Sequence, residues 1–312
     1  MSKYVLTVTL NPAIDKVFTI KNFRAGKEFR CFAPHSRAGG KGVNVARTLK
    51  VLGVPAIAAG LAGGAAGGYL VRALVAEGIR NDFSGISGET RTNLTIIDSD
   101  RHQSTRVIER GPMVSSREVN KFGKKFLRLL EKSWCVIFSG SACPGVKDSQ
   151  YADFMTMAKQ RGVVSVLDSR GSFLTQALKS RPFLVKPNIE EAEEFIGRKV
   201  DSSAALKAAL RDLNRHGAEN VIISLGARGA AGYDGANFFR VSVPQFRGAD
   251  TVGCGDAMIA GFVFALSRGK SFKGCLSWAA AAGTAKVSVP ARGFPGKSAI
   301  TKILPRLKFF DL

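Results

Sequence analysis

The run TVGCGDAMIAGFVFAL, residues 251–266, sets one carboxylate, Asp256, between a glycine turn and a stretch with almost no other polar side chain. A helix that is apolar nearly all round belongs in a protein interior, so an acid at its mouth requires a reason. Consecutive amides of Gly253, Cys254 and Gly255 at a helix N-terminus form a nest that stabilises negative charge on a transferring phosphoryl group. Asp256 beside them is placed to accept the proton of an attacking hydroxyl. Simple capping of the helix, a common use of aspartate there, accounts for the same position without chemistry.

Other stretches offer complementary groups. RAGGKGVNVARTLKVLG (37–53) puts Gly39, Gly40 and Gly42 just before an amphipathic helical pattern. Glycines there allow close backbone approach, and exposed N–H groups at a helix start favour an anion or a hydroxyl-rich ligand. Asn44 on the first turn offers a sugar both donor and acceptor. An ordinary glycine turn fits as well. In KPNIEEAEEFIG (186–197), Asn188 and Glu191 are three apart and share a helix face. They can orient water on a magnesium–phosphate complex, or cap the helix and fill its dipole-favoured first turn. The glycines of SLGARGA (224–230) let backbone lie against a nucleotide, and equally build a hairpin turn.

Two lookalikes are set aside. ARGFPGKS (291–298) ends like a phosphate-binding loop, but Ala291 replaces its first glycine and only 14 residues follow Ser298, so no such domain is expected. GARGAAG lacks Gly-x-Gly spacing and leads into the strand-like YDGANFFRV, which excludes a dinucleotide fingerprint.

These groups need a frame that brings them together. Short apolar runs (YVLTVTL, AIAAGLA, NLTIID, CVIFSG, VVSVLD, FLVKPN and VIISLG) alternate with helical patterns over 43–52, 69–77, 117–132, 150–161 and 204–216. Apolar strands each followed by a helix predict an α/β fold, a mainly parallel sheet covered by helices on both faces. Ligands of such sheets gather at the carboxyl ends of the strands, where Asn11, Ser139, Asp168, Asn188 and Gly226 are expected. Residues 13–36 and 90–110 alternate apolar and polar side chains instead. They predict a small, half-exposed β-sheet, a discontinuous lid on a core made of 1–12, 37–89 and 111–312.

Composition narrows the function. The 312 residues, 45% hydrophobic, suffice for one large core or a core with a lid. No run of 18 apolar residues occurs, and MSKYVLTVTLNPAIDK lacks a small-residue cleavage site. Neither a membrane span nor a signal peptide is expected, and the expected location is cytoplasmic. The 5 cysteines form no Cys-x-x-Cys pair, which fits reduced thiols. His35, His102 and His216 are far apart and lack zinc spacing, which disfavours metal hydrolysis and histidine triads. The net charge of +22 attracts anions, whether nucleic acid, an acidic surface or phosphorylated small molecules, and does not choose among them.

In this order, LNPAIDK, AGGKGVNVAR, KPNIEEAEE and VGCGDAMIAG resemble the PfkB (ribokinase-like) family of sugar kinases, in its phosphosugar branch, from about Val5 to Pro295. The resemblance implies a ribokinase-like α/β core whose lid also forms a homodimer contact. It implies transfer of the ATP γ-phosphoryl group, with Mg2+, to a sugar hydroxyl. By match to the family motifs, Asp256 is the catalytic base and Gly253, Cys254 and Gly255 are the anion hole. Lys186, Asn188, Ser224, Gly226 and Gly229 match ATP-binding positions, and Glu191 with Asn188 would hold the magnesium through water. Asp15, Gly39, Gly40 and Asn44 match sugar-binding positions. Lys27, Arg91 and Arg106 match lid cations that take a phosphate already on the substrate, with Ser139 at a strand end, and an arginine fork suits that phosphate.

NPAIDKVFTIKNFRAGKEFR and GETRTNLTIIDSD are most similar to the family's 1-phosphofructokinases, which implies fructose 1-phosphate as acceptor and fructose 1,6-bisphosphate as product. Tagatose-6-phosphate kinase and 6-phosphofructokinase are the alternatives. Two stretches depart from the family pattern. TRVIERGP (105–112) is unusually basic, and SGSACPG carries Ala142 and Cys143 where bulkier residues and proline are usual. The rival from another class is a basic nucleic-acid-binding protein on a kinase-like scaffold. The charge favours it; the intact Asp256 constellation and the lack of a basic helix interleaved with aromatics oppose it.

Overall fold

The computed structural model describes residues 3–31, 34–101, 103–246, 251–289 and 293–312. The parts of the expected segments that fall on other residues, including His102 of the lid and the start of ARGFPGKS, lie outside the described residues. In chain order come β1 (Tyr4–Thr9), β2 (Ala13–Ile20), β3 (His35–Gly39), α1 (Lys41–Val51), β4 (Ala56–Gly63), α2 (Gly64–Ala76), β5 (Asn81–Ile86), β6 (Arg91–Asp98) and β7 (Gln103–Ile108). Next are α3 (Ser116–Leu130), β8 (Ser133–Ser139), α4 (Gln150–Lys159), β9 (Val164–Asp168), α5 (Gly171–Leu178), β10 (Leu184–Val185), α6 (Ile189–Ile196) and α7 (Ser203–Arg215). The chain closes with β11 (Asn220–Ser224), β12 (Ala230–Tyr233), β13 (Phe238–Ser242), α8 (Cys254–Leu266), α9 (Phe272–Ser288), α10 (Lys297–Ile303) and β14 (Lys308–Phe310).

Among the described residues, ten strands form one sheet in the order β14-β13-β12-β11-β10-β9-β8-β1-β4-β5. Every pairing from β11 to β5 is parallel, and β12, β13 and β14 add an antiparallel edge. The expected α/β architecture is the one that forms. SLGARGA turns the chain from β11 into the antiparallel β12, so its hairpin role is realised.

The strands read as unbroken apolar runs because both faces are covered. Leu6, Val136, Phe138, Leu167 and Val185 face one way, against Phe122, Phe126, Phe154 and Leu210 of the helices on that side. Val5, Cys135, Ile137, Val166 and Leu184 face the other way, against Leu49 of α1 and the apolar sides of α8 and α9. Parallel strands with both faces buried end at the same edge, so the loops after β1, β8, β9, β10 and β11 share one rim.

A second sheet has the order β3-β2-β6-β7. Ile14 and Ala38 on its inner side pack with Val43 and Ala46 of α1 and Leu70 and Leu74 of α2. β7 is exposed along its whole length. NLTIID therefore lies in the small sheet, and its half-burial matches a strand covered on one side only. β3 runs to Gly39, past the expected lid limit at residue 36, and passes through Gly40 directly into α1. Helix α2 starts at Gly64 rather than Tyr69. The glycine-rich start has low helix propensity, but the Glu89 carboxylate, distant in sequence, accepts from the Ala65 and Ala66 amides and supplies the cap.

Helix α8 packs tightly on α9 through small residues. A Cβ placed on Gly261 would lie 2.5 Å from the Trp278 carbonyl and 2.7 Å from Ala282 Cβ. Gly261→Ala is therefore expected to destabilise the protein by about 1–3 kcal/mol through overpacking, read as a lower urea midpoint at unchanged slope. A midpoint equal to that of the unmodified protein would contradict so close an approach.

Candidate active site

The rim gathers the charged groups. Asp168 ends β9, Ser139 ends β8, and Lys186 follows β10. The first turns of α1 and α8 point into the same place, bringing Lys41, Asn44 and Asp256. Asp168 Oδ1 lies 3.2 Å from Lys186 Nζ, and its Oδ2 lies 3.4 Å from Lys41 Nζ. The Ser139 hydroxyl donates to Asp168 Oδ2 at 3.4 Å. Ser139 is fully buried and supports the cluster from beneath rather than lining open surface. Lys41 also lies 3.9 Å from Glu191 Oε1. Asn44 Nδ2 donates to Asp256 Oδ2 at 2.9 Å.

Asp256 is buried, 5% exposed. Burial first, and the neighbouring Asp168 charge second, push its carboxyl up to about 7, against the opposing Asn44 hydrogen bond and the Lys41 and Lys186 charges. Asp168 moves the other way. Burial would raise it, but Lys186 and Lys41 hold it below the usual carboxylate range. Lys41 is raised, chiefly by Asp168. One carboxylate stays ionised while the other titrates near neutrality, the state a general base requires.

The glycines around Asp256 have steric reasons. Gly253 adopts the left-handed φ of 82° that starts the helix. A Cβ on Gly255 would reach within 3.3 Å of Lys186 Nζ, and one on Gly253 within 3.5 Å of Lys286 Cε. Two buried lysines thus press against the turn. The expected nest is altered, however. The Cys254 amide turns back to donate to the Thr251 carbonyl at 3.2 Å.

At the start of α6, Asn188 and Glu191 form a full capping box: Glu191 N donates to Asn188 Oδ1 at 2.7 Å, and Asn188 N to Glu191 Oε2 at 2.9 Å. The capping alternative is therefore realised, and Glu191 Oε1 remains turned toward Lys41. Asn188 bridges Ser224 at the end of β11. Gly226 (φ 60°) shapes the turn, and at Gly229 a Cβ would lie 2.0 Å from the Val241 carbonyl.

On the lid side, Asp15 of β2 packs against Gly39, where a Cβ would overlap its carboxylate, and accepts from Asn93 Nδ2 at 2.9 Å. Gly40 (φ 122°) carries the chain from there into the turn bearing Lys41 and Asn44. Arg91 donates to the Asn11 carbonyl at 2.9 Å and the Glu109 carbonyl at 3.0 Å. Lys27 and Arg106 are exposed, and Arg106 of β7 pairs with Thr95 of β6 through the backbone.

The sequence profile of the pfkB family carbohydrate kinases matches residues 8–297. The chain belongs to this family. It is 35% identical over 282 residues to the 1-phosphofructokinase of Borreliella burgdorferi, covering 90% of this chain and 91% of that one. It is 34% identical over 265 residues to a Staphylococcus epidermidis tagatose-6-phosphate kinase, covering 84% and 85%. The crystal structure of Escherichia coli phosphofructokinase-2 with potassium superposes with a TM-score of 0.92 at 29% identity, covering 97% of this chain and 99% of that one. The chain is accordingly a phosphotransferase, a phosphosugar kinase of the pfkB family. No helix among the described residues is long and apolar enough to cross a membrane.

Among the described residues, no group of three or more His, Cys, Asp or Glu side chains could cage a metal ion. The one carboxylate oxygen of Glu191 left outside the capping box fits a magnesium ion held through water and phosphate, the usual manner for that ion. Several groups of this kinase site escaped sequence reasoning. Lys41 stands inside the AGGKG motif but was not singled out. Lys286 had a signal, a lone lysine in the alanine-rich stretch AAAAGTAKVS. Asn93 had none, and that Lys41, Lys186 and Ser139 all converge on Asp168 is visible only in the folded sheet.

A carboxyl raised to about 7 means that the native protein binds more protons than the unfolded chain between the ordinary carboxylate range and pH 7, so this group erodes stability as pH rises through that window. Asp256→Asn is expected to melt a few degrees above the unmodified protein at pH 8, with the gain vanishing toward pH 4. Thermal melts at both pH values check this, and an equal difference at both would refute the raised carboxyl.

Proposed function

We propose that this kinase transfers the γ-phosphoryl group of ATP, with Mg2+, to fructose 1-phosphate, giving fructose 1,6-bisphosphate. The observation that carries the reading is the buried Asp256 carboxyl, titrating near 7 on the first turn of α8. The likeness of NPAIDKVFTIKNFRAGKEFR to 1-phosphofructokinases supports the choice of acceptor.

Asp256, deprotonated, takes the proton of the acceptor hydroxyl as its oxygen bonds to the γ-phosphorus and the bond to the ADP oxygen breaks. The amides at the start of α8, with Lys186 and Lys286, stabilise charge on the transferring group. Magnesium, when bound, neutralises phosphate charge. Glu191 and Asn188 would hold it through water, and Ser224, Gly226 and Gly229 would line the nucleotide. Asp15, Gly39, Gly40 and Asn44 orient the sugar, and Arg91, with Lys27 and Arg106 after closure, takes its phosphate. Segments 13–36 and 90–110 act as the lid, which excludes water and suppresses ATP hydrolysis. The exposed Val107 and Ile108 of β7 suit a homodimer contact through that lid.

A second activity has one observation in its favour. A cavity of about 420 Å³, lined by Lys179, Arg181, Arg215 and His216 with Glu219 as its one acid, lies where chain segments enter β10 and β11, at the opposite end of the sheet from Asp256. A cationic hollow there suits a polyanion, independent of the kinase site.

Coupled ADP release with fructose 1-phosphate, tagatose 6-phosphate and fructose 6-phosphate decides the acceptor. Fructose 1-phosphate is expected to give the highest kcat/KM, and Asp256→Asn is expected to lower kcat at least a hundredfold. Preference for a 6-phosphate would replace the acceptor and keep the chemistry. An unimpaired variant would remove Asp256 as the base.

A further inference from the structure

Arg47 lies on α1, one turn beyond Asn44, and is 3% exposed. Its Nε and Nη2 grip the Glu77 carboxylate at 2.5 and 2.7 Å, while Nη1 donates to the Ala38 carbonyl at 2.7 Å and to Asn44 Oδ1 at 3.2 Å. A guanidinium only donates, so the Asn44 atom facing it must be the carbonyl oxygen. The amide NH2 is then forced toward Asp256, where it donates to Oδ2 at 2.9 Å. Without that contact the two faces of an asparagine amide differ little in shape, and its rotation would present an oxygen to a carboxylate.

We propose that Arg47, clamped by Glu77, is a positioning residue for phosphoryl transfer: it locks the Asn44 amide so that the NH2 group holds Asp256 Oδ2 and leaves Oδ1 to receive the proton. This rests on Asp256 being the base, as proposed above. Lys41 and Asn44 of α1, Asp168 at the end of β9, Lys186 after β10 and Lys286 of α9 surround the turn that carries Asp256. Of these, Asn44 is the one that Arg47 touches. The Ala38 contact ties the same guanidinium to β3, so base geometry and the small sheet share one anchor. A planar fork that reaches three partners cannot be replaced by an ammonium, although a lysine keeps the charge and the pair with Glu77.

The test measures kcat against pH for Arg47→Lys, Arg47→Met and Glu77→Gln. Loss of the Asn44 donor raises the Asp256 carboxyl, so the acidic limb is expected to move up by about one pH unit in both Arg47 variants, with about a tenfold loss of kcat below the limb. KM for ATP should change less than about twofold, and kcat should recover at pH 9. A loss of kcat equal at every pH would make Arg47 a merely structural ion pair and overturn the proposal. A shift in Arg47→Met that is absent in Arg47→Lys would assign the effect to charge and overturn it as well. Should neither Arg47 variant fold, Glu77→Gln carries the test, because Glu77 is 35% exposed and tolerates exchange. A smaller shift in the same direction supports the clamp, and an unmoved limb refutes it. A carbon-13 titration of the Asp256 carboxyl reads the same shift without any substrate, so failure of the acceptor assignment and failure of the positioning role remain distinguishable.

Discussion

Two carboxylates buried side by side cannot both carry their charge without help, and the site is organised around that restriction. Asp168 has the help: Lys41 on one oxygen, Lys186 on the other, and the Ser139 hydroxyl. Asp256 has the Asn44 amide and the dry wall of α8. The same side-chain type is therefore pushed in opposite directions: Asp168 is held ionised and the Asp256 carboxyl is raised to about 7. Moving either lysine would exchange these roles or leave a buried charge uncompensated.

The apolar character of α8 follows from the same restriction. The raised Asp256 carboxyl depends on a dry surrounding, and a mobile or wet helix would lower it again. Gly261 meets the Trp278 carbonyl and Gly283 meets Met258, so α8 and α9 approach closely over most of their length. On the other side Val45 and Leu49 of α1 belong to the same core cluster, and α1 carries Lys41, Asn44 and Arg47. Asp256, its Asn44 donor and the Lys41 and Arg47 cations are thereby fixed to one packed layer. Displacing one of these helices displaces the chemistry, which is why stability and activity are joined at this layer.

Much of the frame was legible in the sequence. Strands buried on both faces leave unbroken apolar runs, and CVIFSG and VVSVLD mark β8 and β9 almost to the residue. The glycines of VGCGDAM announced a special turn, and Gly253 takes the left-handed φ of 82° there. What escaped depends on contacts between distant segments. The start of α2 is capped by Glu89 from a later loop, and the turned-back Cys254 amide follows from local geometry that composition does not encode. The partners of Asp168 come from α1 and from the loop after β10, and no spacing rule links them. Lys27 and Arg106 match family positions, yet they lie on exposed lid surface, which residue type alone could not tell.

The two departures from the family pattern turn out to be one feature in space. Asn11 Nδ2 donates to the carbonyl of Arg110, in the basic stretch TRVIERGP, and to that of Ala142, in SGSACPG. Cys143 Sγ meets Asn11 Oδ1 at 3.5 Å, and the Asn11 backbone carbonyl takes Arg91. Gly111 adopts φ 97°, and a Cβ there would strike the Asn11 amide. A change in either stretch therefore acts on the other through a single side chain, and both act on Arg91. Burial lowers the Arg91 pKa, and its Nε is buried without a partner among the described residues. A guanidinium left short of one acceptor in a partly dry wall is stabilised by an anion. The Asn11 side chain thus ties the two departing stretches to each other and, through its own backbone carbonyl, to Arg91.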